Sequence, residues 1–203
     1  MRVLIACEFS GVVRRAFRAL GHDAWSCDLL PAEDGDKHHL QSDVRDVLNC
    51  QWDLMIAHPP CTHLATSGAR WFPNKLRQQE EALAFVRSLL AAPIPRICLE
   101  NPRSVISTRI RPKDQVIRPY DFGEQEVRQT WLWLKGLPPL QPSNRLQVPK
   151  YGSVEWKRWN RIHRHHAPGP DRWKERSRTL QGIAQAMAAQ WGGVVQLEAK
   201  NAA

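Results

Sequence analysis

The sequence lacks the marks of a zinc-ribbon, disulfide-rich or membrane protein. Its five cysteines are scattered without a Cys-x-x-Cys pair, which argues against a zinc ribbon or a disulfide framework and indicates a reducing compartment. No apolar run approaches the ~20 residues that span a bilayer. Met1-Arg2 leads straight into a short apolar stretch, without the core of a signal peptide. We therefore expect a soluble, cytoplasmic protein with no membrane partner.

Acidic residues are also scarce. The 203-residue chain has 29 Lys and Arg against 20 Asp and Glu, so its formal net charge is +9. An excess of this size favours a polyanionic partner. The length suits a single domain over residues 1–203 that can bury a substantial core.

Positive charge is concentrated in residues 145–178, which we name the basic segment. Aromatic rings and imidazoles are interleaved with its cations: Trp156, Trp159, Trp173, His163, His165 and His166. Cations that bind phosphates, next to rings that stack on bases, are typical of nucleic-acid contact. The alternative is a solvated loop whose tryptophans pack on the core. We favour DNA contact.

The first thirty residues predict an α/β fold with a mostly parallel, Rossmann-like sheet. A short apolar strand, Arg2–Ala6, is followed by a turn, an amphipathic helix over Val12–Leu20 and a second strand over Ala24–Cys27. In nucleotide-binding units of this order, amides at the helix start hold a polar cofactor tail and an acid after strand two, here Asp28, binds ribose hydroxyls. Only Gly11 represents the glycine-rich fingerprint, so the full G-x-G-x-x-G is absent.

The rest of the chain alternates in the same way. Apolar spacing predicts helices over Lys75–Leu90 and Arg178–Trp191, and an alternating aromatic run predicts a strand over Thr130–Leu134. We expect a polar loop over residues 31–41 and a basic, extended connection over residues 104–121. The residues expected on the buried helix faces are Leu76, Leu83, Val86, Leu90, Ile183, Met187 and Trp191.

Two apolar runs end in polar residues stopped by proline. The run Asp53–Ala57 leads through His58 to Pro59-Pro60-Cys61, and Arg96–Leu99 leads to Glu100-Asn101-Pro102. Proline lacks a backbone N–H and fixes φ, so it ends both strand pairing and helix formation. Parallel sheets place ligands and chemistry at the carboxyl ends of their strands. We therefore expect one thiol and one carboxylate to share a crevice there.

These motifs resemble those of a known family. Pro59-Pro60-Cys61 resembles the Pro-Cys nucleophile motif of DNA cytosine carbon-5 methyltransferases, Glu100-Asn101-Pro102 is similar to their Glu-Asn-Val motif, and Phe9-Ser10-Gly11 resembles their first cofactor motif. The series covers about the first two thirds of the chain. It looks most like the short, phage-type members that lack a full target-recognition domain. The resemblance implies an S-adenosylmethionine-dependent methyltransferase fold in a bacterial or phage-infected cell.

The resemblance also implies a reaction and roles for four residues. Cytosine carbon 5 of DNA would be methylated after the Cys61 thiolate adds to C6 and makes C5 nucleophilic. Glu100 would donate to or protonate N3, Asn101 would orient the Glu100 loop, and Arg128 would bind the base O2. The target base must leave the helix to be reached. Residues 62–74 match the family's mobile loop that closes over this base.

The cofactor, S-adenosylmethionine, would lie across the ends of the first strands. In the resembled family an acid near residues 42–46 binds the adenine amino group of the cofactor, and Asp43 is the candidate. The alternative is that Ser42 or Asp43 only caps a short helix. We expect a monomeric protein in which the cofactor is bound by Glu8, Phe9, Ser10, Gly11, Asp28, Asp43 and Pro59.

Other interpretations of the same residues remain open. His58, Cys61 and His63 could be zinc ligands, but no fourth ligand is near in sequence, and we expect no metal. The cysteines other than Cys61, namely Cys7, Cys27, Cys50 and Cys98, read as small core residues. The protein could also be a related transferase that modifies RNA or a free pyrimidine nucleotide or transfers another one-carbon-type group, or a non-catalytic DNA-binding protein.

Overall fold

The computed structural model contains a seven-stranded sheet. It describes residues 1–160, 174 and 177–201, with side chains as far as residue 193. The strand order is β3-β2-β1-β4-β5-β7-β6. Strands β1 to β5 are parallel to one another, and β7 runs antiparallel between β5 and β6. The strands are β1 Arg2–Ala6, β2 Asp23–Asp28, β3 His39–Gln41, β4 Leu54–Ala57, β5 Arg96–Asn101, β6 Gln115–Ile117 and β7 Thr130–Lys135.

Helices cover both faces of the sheet. Helices α1 and α5 pack on one face, together with alternate strand residues such as Val3 and Ile5. Helix α2 packs on the other face, over Leu4 and Met55. The described helices are α1 Val12–Ala19, α2 Leu76–Leu90, α3 Ile106–Arg109, α4 Val154–Trp159 and α5 Gln181–Asn201, with 3-10 segments at Val44–Asp46, Thr66–Asn74 and Pro119–Asp121. The α/β, mostly parallel, Rossmann-like class predicted from the sequence is confirmed.

The central strands form where the sequence offers short apolar runs without charge. All four residues of β4 are buried, as are the last four of β1. A parallel strand covered by helices on both faces has no solvent side, so its sequence is continuously apolar rather than alternating. This buried centre fixes the positions of the strand ends, where the polar motifs begin.

Helix α5 begins too close to the backbone that follows the 3-10 segment Pro119–Asp121 for any side chain at its second residue. A Cβ on Gly182 would lie 1.9 Å from the Phe122 carbonyl oxygen. The Gly182 N–H donates to the Glu124 carboxylate at 2.6 Å. Ile183, Met187 and Trp191 are buried, as their spacing predicts. Glycine at position 182 therefore sets how α5 docks.

Several local expectations were wrong. The connection 104–121 contains α3 and β6, and the polar stretch 31–41 ends in β3. In α2, Leu76 is 61% exposed and Leu89 is buried in place of Leu90. Cys50 is exposed, and Cys7 is only partly buried with φ at +59°. Cys27 and Cys98 are core residues as expected. In the part of the chain that the structure describes, no helix is long and apolar enough to cross a bilayer.

Candidate active site

The site lies at the carboxyl edge of β1, β4 and β5. Ala6 pairs with Ala57 and Ala57 with Leu99, so the turns after these strands begin side by side. Because β7 is antiparallel, its first residue reaches the same edge, where Trp131 pairs with Asn101. The register thus brings together the turn of Cys61, the end of β5 and the start of β7.

Cys61 is exposed on a turn that the chain fastens at both ends. Its carbonyl oxygen accepts the N–H groups of Leu64 at 3.0 Å and Ala65 at 2.8 Å. Beyond the turn, Ala65 forms an antiparallel bridge with Ser104, which follows β5. The predicted nucleophile is therefore accessible on a backbone that is held to the neighbouring strand.

Asn101 ties β5 to this turn. Its side chain is buried, and its Nδ2 donates to the Pro59 carbonyl oxygen at 2.9 Å. The resemblance assigned Asn101 to orienting the Glu100 loop, and this role stays a prediction; the amide itself contacts the diproline turn. Pro59 has no N–H and stiffens the backbone, so a single hydrogen bond to its carbonyl is enough to orient the segment that carries Cys61.

Glu100 is bonded on both carboxylate oxygens. Oε2 lies 3.1 Å from Nδ1 of His58, and Oε1 accepts the Thr130 hydroxyl. Burial alone would raise the pKa of Glu100, but the hydrogen bond and charge of His58, with Thr130 and Arg128, lower this pKa below its usual value. The side chain is 23% exposed. Glu100 is thus an ionised group with one side open to the crevice.

His58 is a neighbour of Glu100 to which the sequence assigned no catalytic or cofactor role. Its side chain is 8% exposed, and its Nε2 is buried without a hydrogen-bond partner. Burial opposes protonation, but the hydrogen bond and charge of Glu100 and the charge of Glu8 raise the pKa of His58. The sequence offered one sign of this pairing: His58 is the first residue after β4, and the end of β5, which carries Glu100, lies level with it.

The metal interpretation placed His58 with His63 and Cys61. Within the described ranges, no three His, Cys, Asp or Glu side chains are grouped as a metal ion requires. The imidazole of His58 instead forms a pair with a carboxylate. His63 has a buried Nδ1 without a hydrogen-bond partner, and its carbonyl accepts from Gln79 at 3.1 Å.

Arg128 lies just before β7, on the same side as Glu100. Its backbone N–H donates to Glu126 at 2.9 Å, and its charge lowers the pKa of Glu100. Burial raises the pKa of the Glu126 carboxyl, and the Arg128 N–H and charge oppose that rise. All four predicted catalytic residues, Cys61, Glu100, Asn101 and Arg128, therefore lie at one edge of the sheet.

Glu8 occupies the helix start that the sequence pattern assigned to a cofactor tail. Its buried carboxylate accepts the N–H groups of Val13 at 2.7 Å and Arg14 at 3.3 Å. The Ser10 hydroxyl also lies 3.4 Å from it. Burial raises the pKa of Glu8, and the charge of His58 with the two amides opposes that rise. The first turn of α1 is thus capped by the protein's own carboxylate, and the amides of Val13 and Arg14 already donate to Glu8.

The remaining predicted cofactor residues lie around the ends of β1 to β3. Gly11 has φ at +68° and allows the turn into α1, where a Cβ would meet the Arg14 guanidinium at 2.5 Å. Phe9 is buried beside it. Asp28 accepts the Leu30 N–H at 3.0 Å, and burial raises the pKa of its carboxyl. Pro59 is buried and supplies the carbonyl that Asn101 binds.

Asp43 caps the short helix that follows it. Its carboxylate accepts the Arg45 N–H at 2.9 Å and pairs with the Arg45 guanidinium. These bonds lower the pKa of Asp43 to about 2. The capping role weighed for Asp43 is therefore present, and its adenine-binding role stays a prediction.

The described part of the basic segment has features of both interpretations given above, nucleic-acid contact and a solvated loop whose tryptophans are buried. Trp159 is buried. Tyr151 is 82% exposed, with its ring centroid 4.6 Å from that of Trp156. Lys150, Lys157 and Arg158, which adjoin Tyr151 and Trp156 in sequence, are exposed. Trp173, His163, His165 and His166 lie outside the described residues.

Together, the fold and the site define a Rossmann-like α/β domain with a thiol, a carboxylate, an amide and a guanidinium at its carboxyl edge. No protein-family model matches the chain, and no curated protein does. Among solved structures it is similar to one provisionally described as a DNA modification methyltransferase encoded within a prophage (E. coli). The identity is 13% and the TM-score 0.48, over 73% of this chain and 52% of the other, so the chain spans about half that structure's length. A likeness at this level carries no functional assignment.

Proposed function

We propose that this protein is an S-adenosylmethionine-dependent DNA methyltransferase that acts on cytosine carbon 5. The observation that carries the proposal is the meeting of exposed Cys61 and ionised Glu100 at one edge of a Rossmann-like sheet, the turn of Cys61 being held by Asn101. A thiol and a carboxylate in this arrangement match the two groups that the motif resemblance requires.

Cys61 would be the nucleophile. Its thiolate adds to C6 of the target cytosine, which moves electron density to C5 and makes that carbon able to accept a methyl group. When bound, S-adenosylmethionine supplies this methyl group as an electrophile. After transfer a base removes the C5 proton, and Cys61 leaves by elimination. The hydrogen bond from Asn101 to Pro59 keeps the thiol in the orientation that addition needs.

Glu100 and Arg128 would bind the polar edge of the base. Glu100 would give a proton or hydrogen bond to N3, which withdraws charge from the ring during thiolate addition. Arg128 would neutralise charge at O2. A base inside a duplex cannot reach these groups, so the target must flip out at a cost of a few kcal/mol.

The ends of β1 to β3 fit the cofactor by their charge. Burial is the main cause that raises the pKa of Cys7, and the charges of Asp28 and Asp43 raise it further, so both carboxylates lie near the end of β1, where Glu8 follows in the chain. Carboxylates suit a ligand that carries a sulfonium, an ammonium and ribose hydroxyls. Glu8, Asp28 and Asp43 would hold these groups, with Phe9, Ser10, Gly11 and Pro59 forming the walls.

Two exposed features support DNA as the substrate. The Tyr151–Trp156 pair with its flanking cations offers ring faces and phosphate contacts. On the 3-10 segment that follows Cys61, Trp71 is 53% exposed and the Arg70 guanidinium lies 5.0 Å from its ring.

The test is covalent trapping. The protein is incubated with 5-fluorocytosine DNA and S-adenosylmethionine, and its intact mass is measured. Fluorine at C5 blocks the final proton loss, so an active carbon-5 enzyme stays attached to the DNA. We expect an adduct on Cys61, and Cys61→Ala should bind DNA and cofactor but form none.

Other outcomes of this experiment would favour an alternative substrate or function. Parallel incubations use RNA and dCMP as acceptors. An adduct only with RNA or the nucleotide would replace DNA as the substrate. Methyl transfer that persists in Cys61→Ala would overturn the mechanism. DNA binding without any adduct or transfer, in wild type and variant alike, would favour a non-catalytic DNA-binding protein.

A further inference from the structure

A buried histidine stands directly behind the carboxylate that faces the substrate. Glu100 is 23% exposed and His58 only 8%, and they are 3.1 Å apart, so a base in the crevice can reach Glu100 but not His58. Among the described residues, Nε2 of His58 is buried without a hydrogen-bond partner. The one hydrogen bond that its imidazole makes to them joins Nδ1 to Glu100.

This arrangement meets a chemical requirement of the proposed reaction. N3 of neutral cytosine is an acceptor, so a carboxylate beside it must bring a proton to be of use. Glu100 alone is ionised and holds none. A histidine bonded to it can store that proton, because imidazole is the side chain that exchanges protons most readily near neutral pH.

We propose that His58 is a positioning residue for Glu100, and that its Nδ1–H both fixes the carboxylate and supplies the proton that Glu100 passes to cytosine N3. This inference rests on the proposed function. A carboxylate has about four lone-pair sites, so Glu100 can bind His58, Thr130 and the base together.

The proton and the electrons balance across the step. As the Cys61 thiolate forms the Sγ–C6 bond with its own electron pair, N3 takes the proton from Glu100, and Glu100 takes the Nδ1 proton of His58. Imidazolium, thiolate and neutral base become neutral imidazole and a neutral adduct, while Glu100 ends ionised as it began. On elimination the N3 proton returns along the same path and the thiolate is released.

The charges around the pair decide the direction of its pH dependence. His58 faces Glu100 on β5 and Glu8 after β1, while Arg128 acts on Glu100 and Arg14 acts on Glu8. The two carboxylates raise the pKa of His58, so the pair keeps its proton to higher pH than an ordinary histidine would. Activity that depends on this proton is present below the pKa of His58 and is lost as the pH rises through it.

The first measurement is the rate of adduct formation with 5-fluorocytosine DNA and S-adenosylmethionine as a function of pH. His58→Gln can still donate a hydrogen bond but has no proton to transfer, and we expect it to react about 10²-fold more slowly. It should also lack the alkaline loss of rate. His38→Gln is the matched control, since His38 forms another histidine–carboxylate pair, with Asp36 at 2.8 Å. The control should keep the wild-type rate and profile.

The second measurement needs neither cofactor nor DNA. NMR titration of the imidazole resonances, with His58 assigned by its loss in His58→Gln or by specific labelling, compares the wild type with Glu100→Gln. We expect the pKa of His58 to fall in Glu100→Gln. An unchanged pKa would overturn the pairing even if His58→Gln fails to fold.

The two proposals fail in different ways. Wild-type protein that forms no adduct on any pyrimidine substrate overturns the proposed function, whatever the titration gives. Wild-type protein that reacts, with His58→Gln reacting at the same rate and with the same pH profile, overturns the role of His58 alone.

Discussion

At the scale of single residues, Asn101 acts through a single hydrogen bond. One buried amide joins the end of β5 to the turn that carries Cys61. The contact consists of one donor and one acceptor, so the loss of either group breaks it. The position of the thiol is therefore sensitive to a change of very few atoms.

Replacing Asn101 by Asp tests this contact. The substitution keeps the shape but turns the donor into an acceptor, which leaves the Pro59 carbonyl without its hydrogen bond. We expect stability to fall by about 1–3 kcal/mol and adduct formation to slow at least about tenfold. Urea unfolding and the trapping assay measure these two effects. Asn49→Asp, at an exposed position before β4, is the control, and equal rates in the two variants would refute the positioning role.

The sequence singled out Cys61 and Glu100 but not their partners. Cys61 and Glu100 are marked by prolines beside short apolar runs, and that pattern is local. Thr130 meets Glu100 only because β7 enters antiparallel at a particular register, and no local pattern encodes a register between strands thirty residues apart. His58 was read with its sequence neighbours Cys61 and His63, whereas its partner lies one strand away.

At the scale of elements, Gly182 shows how closely α5 is docked. Alanine there would place a methyl group against the Phe122 carbonyl, and backbone cannot move aside as a flexible side chain can. We expect Gly182→Ala to destabilise the fold by at least about 2 kcal/mol, measured as the free energy of unfolding in urea.

Gly193 in the same helix is the matched control. A Cβ there meets nothing within 4 Å. Alanine is the better helix former, so Gly193→Ala should be neutral or stabilising by up to about 1 kcal/mol. Equal losses of stability in both variants would mean that helix propensity, and not the contact with Phe122, governs position 182.

The elements that the sequence predicted are those with enough apolar residues to show a period. Such patterns mark β1, α1, β2, β4, α2, β7 and α5. The first six lie within a few residues of their expected bounds, whereas α5 continues to Asn201, beyond its expected end at Trp191. β3 and β6 have three residues each and α3 has four. Segments this short show no periodicity and form because a neighbouring strand or helix offers partners. The face of α2 was misplaced because Leu76 precedes the part of the helix that meets the sheet.

At the scale of the whole molecule, the net charge of +9 predicts how DNA affinity responds to salt. Each phosphate contact releases about 0.9 counterions, so the logarithm of the affinity falls linearly with that of the salt concentration. Replacing Lys157 and Arg158 by Gln should weaken binding and reduce this slope by up to about 2. Fluorescence anisotropy between 50 and 200 mM salt (about the range over which the effect is large) measures it.

Arg87 provides the control for that measurement. It is exposed near the end of α2, close to the edge of the sheet opposite the site. Arg87→Gln removes one positive charge without changing the Tyr151–Trp156 surface. A slope reduced equally by Arg87→Gln would mean that DNA responds to overall charge and not to this surface.

The packing of α1 against α5 has a consequence for how the chain folds. Residues 20–180 separate the two helices, yet they pack on each other and on the same face of the sheet. During synthesis the first helix and strands emerge well before their partner. The apolar residues of that face, Val3, Val13 and Phe17 among them, stay accessible to chaperones and to other chains for most of translation. Contacts this distant in sequence also slow folding. The time in which the protein is prone to aggregation therefore ends only when α5 docks.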